Sequence, residues 1–408
     1  MTDALSLSDA ALGTGRNGAP RVMSIDMFRG LNVLIMIFVD NLGLVAGLPL
    51  WTNHMPRDMN GMTYVDMVFP AFLFLIGMSI PLSLDARLAR VERKTGIWAH
   101  VIARSLMLVV LGLFVANAPQ VNAKYTGLSE PWWAGLGFAA IALALLRWPG
   151  TDGHKRLLVV LRYVGLALSV LLFVMFRRET AQGEEAWLDF SDWEILGLLG
   201  WAYLLASGLY LLLGKRIGVL FAAFAALIAV NAFSVEGYLR WIENWPPYFK
   251  PFEAGLASLT LAGVLAALVI VDGKLGVTFA AKGKWILTAA ALALIAGWLL
   301  RPLGISKIRD TPTWCLYCTA ANLAIALGLY WIADVKGWKG WSRFVFPIGQ
   351  NALLAYFLPY VAYLLPKAYP LTADGTVGWH GVAWSAAFAV TVGAIVVVVT
   401  QTGVRLRV

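Results

Sequence analysis

An all-α polytopic integral membrane bundle of about 10–12 transmembrane helices is the fold class this sequence predicts. Sixty per cent of its 408 residues are hydrophobic, only 13% are charged, and the mean hydropathy is +0.73. Apolar runs of about 20 residues, the length that crosses a hydrocarbon layer, recur from residue 27 to the C-terminus. Lys and Arg collect in alternate connections between those runs, as expected of a chain threading a bilayer.

The first 20 residues are polar and small, with no apolar stretch or small-residue cleavage site. Residues 1–20 therefore read as a disordered cytoplasmic tail and not as a signal peptide. Residues 21–408 read as one transmembrane domain. Its spans are expected near 27–47, 63–84, 98–118, 131–147, 157–176, 192–213, 217–233, 255–272, 285–301, 313–333, 344–365 and 381–402. The fourth is short, and little more than Gly214, Lys215 and Arg216 separates the sixth from the seventh, so ten or eleven spans are alternative counts. The longest outer connections, near 177–191 and 234–254, are too short to fold alone and are expected to lid the outer face; the second carries Trp241, Trp245 and Pro246-Pro247. Trp residues at span ends, among them Trp51, Trp98, Trp132, Trp133, Trp187, Trp338 and Trp341, suit interfacial belts. Val68-Phe69-Pro70 recurs as Val345-Phe346-Pro347, a match short enough to attribute to chance rather than to an inverted repeat.

With both termini inside, the inner segments hold 22 of the 32 Lys and Arg, and the outer ones hold most of the acids, including Glu179, Glu184, Asp189, Asp192 and Glu236. The net charge of +9 is therefore an orientation signal, not a nucleic-acid footprint.

This orientation puts one polar hairpin at the outer ends of the first two spans. Asn53 and His54 lie in its loop, Asn60 and Gly61 follow, and Asp66 lies about one turn inside the second span. Asp40 and Asn41 lie in the outer half of the first. The chain has four His in all. A carboxylate in lipid is costly unless paired, so Asp40 and Asp66 are functional candidates, although each has a plainer role as a helix cap or amide partner. A neutral imidazole beside a carboxylate is a competent general base near pH 7.

The ordered set Arg21 to Leu31, Asn53-His54, Asn60 to Thr63 and Asp66 to Gly77 resembles the opening of the heparan-alpha-glucosaminide N-acetyltransferase family and its uncharacterised bacterial relatives. The resemblance continues through Asp192 to Tyr203, Thr311 to Trp314 and Gly349 to Tyr356, and so covers most of the chain. It implies a transmembrane acyltransferase that takes acetyl from cytoplasmic acetyl-CoA and passes it across the membrane to an amino sugar, with the loop histidine, here His54, as the active residue. The chain departs from the family pattern in a longer His54 to Gly61 loop without the Trp, in Asp40 where an Asn is usual, and in Gly200-Trp201 where a Gln-Arg pair is usual.

The resemblance and the topology together assign His54, Asp66 and Asp40 to catalysis and Asn41, Asn53, Asn60 and Asn351 to the acceptor. Arg29, Arg87, Arg90 and Arg104, at the inner ends of the first three spans, are assigned to the phosphates of the CoA nucleotide; each also serves to set orientation. His54 could deprotonate the acceptor for direct attack or take the acyl group itself; general-base action is preferred. No metal is expected. The rival reading is a proton-coupled sugar transporter or flippase built on the same hairpin, and a third is a structural or regulatory protein that has lost the activity. The expected partners are acyl-CoA, a small sugar-like acceptor and the lipid bilayer, with no nucleic acid; a homo-oligomer and a bacterial inner-membrane location complete the expectation. Cys315 and Cys318 read as a packed pair of small core residues, His380 as a candidate second proton carrier, and His100 and His154 as cytoplasmic.

Overall fold

Apolar runs become helices because a backbone amide in lipid has no water to bond and must find its partner within its own segment. The computed structural model describes residues 22–90, 93–147, 155–239, 254–271, 273, 275–368 and 377–406. Helices α1 (Met23–Leu42), α2 (Val68–Leu88), α3 (Lys94–Asn117), α4 (Glu130–Leu145), α5 (Lys155–Met175), α6 (Glu194–Leu213) and α7 (Ile217–Val235) make the first half. The second half holds α8 (Ala254–Ile270), α9 (Phe279–Leu299), α10 (Pro312–Tyr330), α11 (Val345–Gln350), α12 (Ala352–Ala368) and α13 (Gly378–Gln401). Helix occurs at all twelve expected places, with the eleventh divided at Asn351 into α11 and α12. Among the described residues eight helices, α2, α3, α5, α6, α7, α9, α10 and α13, are long and apolar enough to cross a membrane. Helices α4, α8 and α12 are shorter and apolar, and α1 carries Asp26, Arg29 and Asp40. The expected tail over 1–20, the Trp241 to Pro247 part of the second outer connection, and His154 lie outside the described residues.

Nearly all of α8 is buried, and it packs against α2, α6, α7 and α10. The α2–α8 crossing is glycine-mediated: a Cβ on Gly77 would meet the Thr260 carbonyl oxygen at 1.9 Å, and one on Gly263 the Phe74 carbonyl oxygen at 1.9 Å. Without a hydrophobic drive between helices in lipid, such close backbone approach is what gains dispersion energy. At the rim, α5 exposes Leu157, Val160, Tyr163, Val170 and Val174. Large apolar side chains in that position face lipid, where they need no partner.

The α1–α11 crossing positions the interior. A Cβ on Gly30 would meet the Val345 carbonyl oxygen at 2.1 Å, and one on Gly349 the Asp26 carbonyl oxygen at 1.9 Å. Beside this crossing, the two-residue strand β4 (Arg405–Leu406) pairs antiparallel with β1 (Leu146–Arg147), which fixes the end of the chain against the bundle. A second small ribbon, β2 (Arg178–Glu179) with β3 (Glu185–Ala186), folds the connection between α5 and α6.

Candidate functional site

The turn that opens the second span is tied together by side-chain to backbone bonds at Thr63 and Asp66. The Asp66 Oδ2 accepts the Thr63 backbone N–H at 2.8 Å, and the Thr63 Oγ1 accepts the Val65 N–H at 3.2 Å while donating to the Asn53 carbonyl at 2.8 Å. The Met55 N–H adds a weaker bond to the same carboxylate oxygen at 3.3 Å. These bonds leave Oδ1 for His54, whose Nδ1 lies 2.7 Å away. The Asp66 side chain is 0% exposed and that of His54 43% exposed, so a buried carboxylate holds a ring that remains partly accessible. The carboxylate takes the proton-bearing Nδ1, which leaves Nε2 with its lone pair. Asp66 is thus both cap and partner to the imidazole.

Nε2 faces Lys307, with Nζ at 3.1 Å. Lys307 lies in the connection between α9 and α10, and the hairpin clamps that connection in place. The Asn60 Oδ1 accepts the Ile305 N–H at 2.7 Å, and the Gly61 N–H donates to the Ile305 carbonyl at 2.9 Å. From the other side, the Trp314 indole N–H donates to the Asp66 carbonyl at 3.1 Å. Burial pushes the Lys307 ammonium below the usual lysine range, against the opposing pull of Asp66, Asp40 and Glu194.

Asp40, three turns above Arg29 on α1, is accessible to solvent but lies within electrostatic reach of Glu194, Lys307 and His54. Glu194, the first residue of α6, accepts hydrogen bonds from the Tyr356 hydroxyl and, at 3.1 Å, from that of Tyr360. Its φ of +52° is in the left-handed region, which a non-glycine residue occupies at a cost of about 1–3 kcal/mol where the surroundings require it.

Below this cluster a cavity of about 390 Å³ runs between α1, α2, α3, α6 and the α11–α12 pair. Arg29, Arg104 and Arg405 line its lower end; Met36, Phe72, Ile195 and Tyr356 line its upper end, and the wall between them is mostly aliphatic. The seven residues from Arg29 to Met36 and from Gly349 to Tyr356 give it a length of roughly 10 Å. Arg29 donates to Asp26 at 2.9 Å and to the Ser79 hydroxyl at 2.8 Å. Arg405 donates to the Gln350 side chain at 2.7 Å. Arg104 stacks on the Tyr203 ring at 4.9 Å, and its buried Nε has no hydrogen-bond partner among the described residues. Three guanidinium groups around one apolar slot, one with an unsatisfied donor, suit a ligand with a phosphate at one end and an apolar arm at the other.

The remaining expected residues divide between hairpin and scaffold. His54, Asp66, Asn53 and Asn60 come together in the hairpin, and Asp40 on α1 lies within electrostatic reach of His54. Asn41 instead joins α1 to α13 and α12, accepting from the Ser385 hydroxyl at 2.9 Å and donating to Tyr363 at 3.4 Å. Asn351 is fully buried at the opposite end, donating to the Thr400 hydroxyl at 3.1 Å and the Val404 carbonyl at 3.0 Å and accepting the Leu406 N–H at 3.0 Å. Arg29 and Arg104 line the cavity; Arg87 and Arg90 lie at the end of α2 outside its lining. Cys315 and Cys318 are buried free thiols. Lys307, Glu194, Tyr356, Tyr360 and Arg405 were not singled out by sequence reading. Glu194 and Tyr356 fall inside segments that carry the family resemblance, and that was the available signal.

Residues 21–252 match the family described as a domain of unknown function, DUF5009. The chain is 36% identical over 104 residues to heparan-alpha-glucosaminide N-acetyltransferase of Mus musculus, a stretch covering 26% of this chain and 15% of that protein. It is 36% identical over 98 residues to the Homo sapiens protein of the same name, covering 24% of this chain and 14% of that protein. The matched stretch is thus a small part of each relative's length.

Proposed function

The chain belongs to the DUF5009 family, and from its partial similarity to N-acetyltransferases and the chemistry of the hairpin we propose that it is a transmembrane acyltransferase. It moves an acetyl or other short acyl group from acyl-CoA to an amino sugar or similar small acceptor. The observation that carries this reading is the His54 dyad: a buried carboxylate fixes Nδ1 at 2.7 Å and leaves Nε2 open toward Lys307. That is the arrangement a general base needs, oriented and in the right tautomer.

The donor enters from the Arg29 end. Arg29, Arg104 and Arg405 meet its phosphates, and the aliphatic slot takes its arm toward Tyr356. The acceptor approaches the hairpin. His54 Nε2 removes its amine or hydroxyl proton as that atom attacks the thioester carbonyl, with Asp66 holding the imidazolium that forms. The Lys307 ammonium, displaced from Nε2 by the acceptor, supplies positive charge for the oxyanion. The basic end faces the cytoplasm and the hairpin the outer side, with both termini inside; the charge bias of the connections supports this orientation and an inner-membrane location.

The test is acyl-CoA binding and turnover by purified protein in nanodiscs, using acetyl-labelled CoA and an amino-sugar panel, for wild type and His54→Ala. Product from wild type, lost in the variant with CoA binding retained, supports the reading. Absence of CoA binding by wild type refutes it, and a lasting acyl adduct on His54 without acceptor replaces the general-base role with a covalent one.

A further inference from the structure

The proposed transfer moves one proton twice: off the acceptor at the hairpin, and onto the sulfur that departs into the cavity. His54 serves the first need and nothing above assigns the second. A thiolate leaving into an apolar slot is poorly solvated, so a placed donor there has a large effect on its departure.

Tyr356 stands where that donor is needed. It lines the upper end of the cavity, and its hydroxyl donates to the Glu194 carboxylate. Tyr360, one turn along α12, donates to the other Glu194 oxygen at 3.1 Å, and the two hydroxyls lie 3.2 Å apart. Glu194 thus holds both tyrosines at the start of α6, where its own backbone is left-handed. Glu194 is in electrostatic reach of Asp40, which is in reach of His54 and Lys307. Glu194, Tyr356 and Tyr360 form one hydrogen-bonded group at the upper end of the cavity.

Resting on the acyltransferase reading, we propose that Tyr356 is the catalytic proton donor to the leaving thiolate, and that Glu194 is the positioning residue that orients and reloads it. His54 takes the acceptor's proton, and Glu194 carries a proton of its own when the donor binds. As the tetrahedral intermediate collapses, the C–S bond breaks and its electron pair stays on sulfur. The sulfur takes the Tyr356 hydroxyl proton while Glu194 returns its own to the tyrosyl oxygen. One proton leaves the acceptor, one arrives on CoA, and no other reactant is consumed.

The experiment compares wild type, Tyr356→Phe, Glu194→Gln and Glu194→Asp in nanodiscs with two donors: acetyl-CoA, and an acetyl thioester of an acidic aryl thiol, which departs without protonation. CoA binding by each variant reports that it is folded. Expected on acetyl-CoA is a fall in kcat of about 10²-fold or more for Tyr356→Phe and Glu194→Gln, with KM little changed and partial rescue by Glu194→Asp. On the aryl thioester the deficit shrinks to a few-fold. An equal deficit on both donors assigns a structural role and overturns the proposal, as does full activity of Tyr356→Phe. Wild type inert toward both donors overturns the underlying acyltransferase reading instead, and this proposal with it.

Discussion

Asp66→Asn is the most informative single perturbation, because it keeps the shape of the hairpin and changes only what the ring of His54 is told to do. The asparagine carbonyl can still accept the Thr63 and Met55 N–H groups that Oδ2 accepts now. Its amide N–H2 then faces Nδ1, where Oδ1 lies at 2.7 Å. A donor in that position forces the imidazole to present a lone pair at Nδ1 and a proton at Nε2, so the working nitrogen is no longer a base. Loss of a charge-assisted hydrogen bond costs about 1.5–3 kcal/mol, or roughly 10- to 150-fold in rate at about 1.4 kcal/mol per decade. The inverted tautomer brings the total into the ~10²–10⁴ range of general-base deletion. Single-turnover transfer from labelled acetyl-CoA measures it, with CoA binding as the control for folding. The double variant Asp66→Asn/His54→Ala should be no slower than His54→Ala alone, since the two residues act as a unit. Transfer by Asp66→Asn within three-fold of wild type would refute the dyad.

Arg405→Gln and Arg104→Gln should each weaken acetyl-CoA binding by about 10- to 100-fold while leaving transfer from an acetyl-pantetheine donor, which lacks the nucleotide phosphates, unchanged; equilibrium binding with both donors checks this. Gly349→Ala puts a methyl group into the space 1.9 Å from the Asp26 carbonyl oxygen and should cost about 1–3 kcal/mol by forcing α1 and α11 apart, read as a lower melting temperature in nanodiscs and weaker CoA binding through Arg29. Because burial lowers the Lys307 ammonium below the ordinary lysine value near 10.4, the unfolded chain binds more protons than the folded one between those two values. Stability should therefore rise with pH across that window and stay at its lowest below it. Thermal melts of wild type against Lys307→Met should show the slope only in wild type.

Much of the scaffold was legible in the chain because lipid enforces it locally. Twelve apolar runs became helix where they were expected, and even the short fourth and the closely joined sixth and seventh did so, since each helix satisfies its own backbone. The break at Asn351 was not foreseen: it arises because the side chain of Asn351 is occupied by Thr400, Val404 and Leu406, contacts that require the end of the chain to fold back. The same holds for Asn41, a polar residue beside Asp40 in sequence that turns to Ser385 and Tyr363. Adjacent residues on a helix point about 100° apart, so neighbours in the chain need not share a site.

What the sequence determined by itself was the class of protein, the places where its apolar runs form helix, and the hairpin in which His54 and Asp66 are only twelve positions apart, close enough for local structure to join them. What tertiary structure alone decided was the company those residues keep. Lys307 reaches His54 across 253 positions and Tyr356 reaches Glu194 across 162, while Arg405 joins Arg29 and Arg104 around one cavity. Hydropathy and charge act along the chain and are read there; a contact between distant side chains depends on which helices cross and at what rotation, and that is fixed only when the glycine-mediated crossings bring the backbones together.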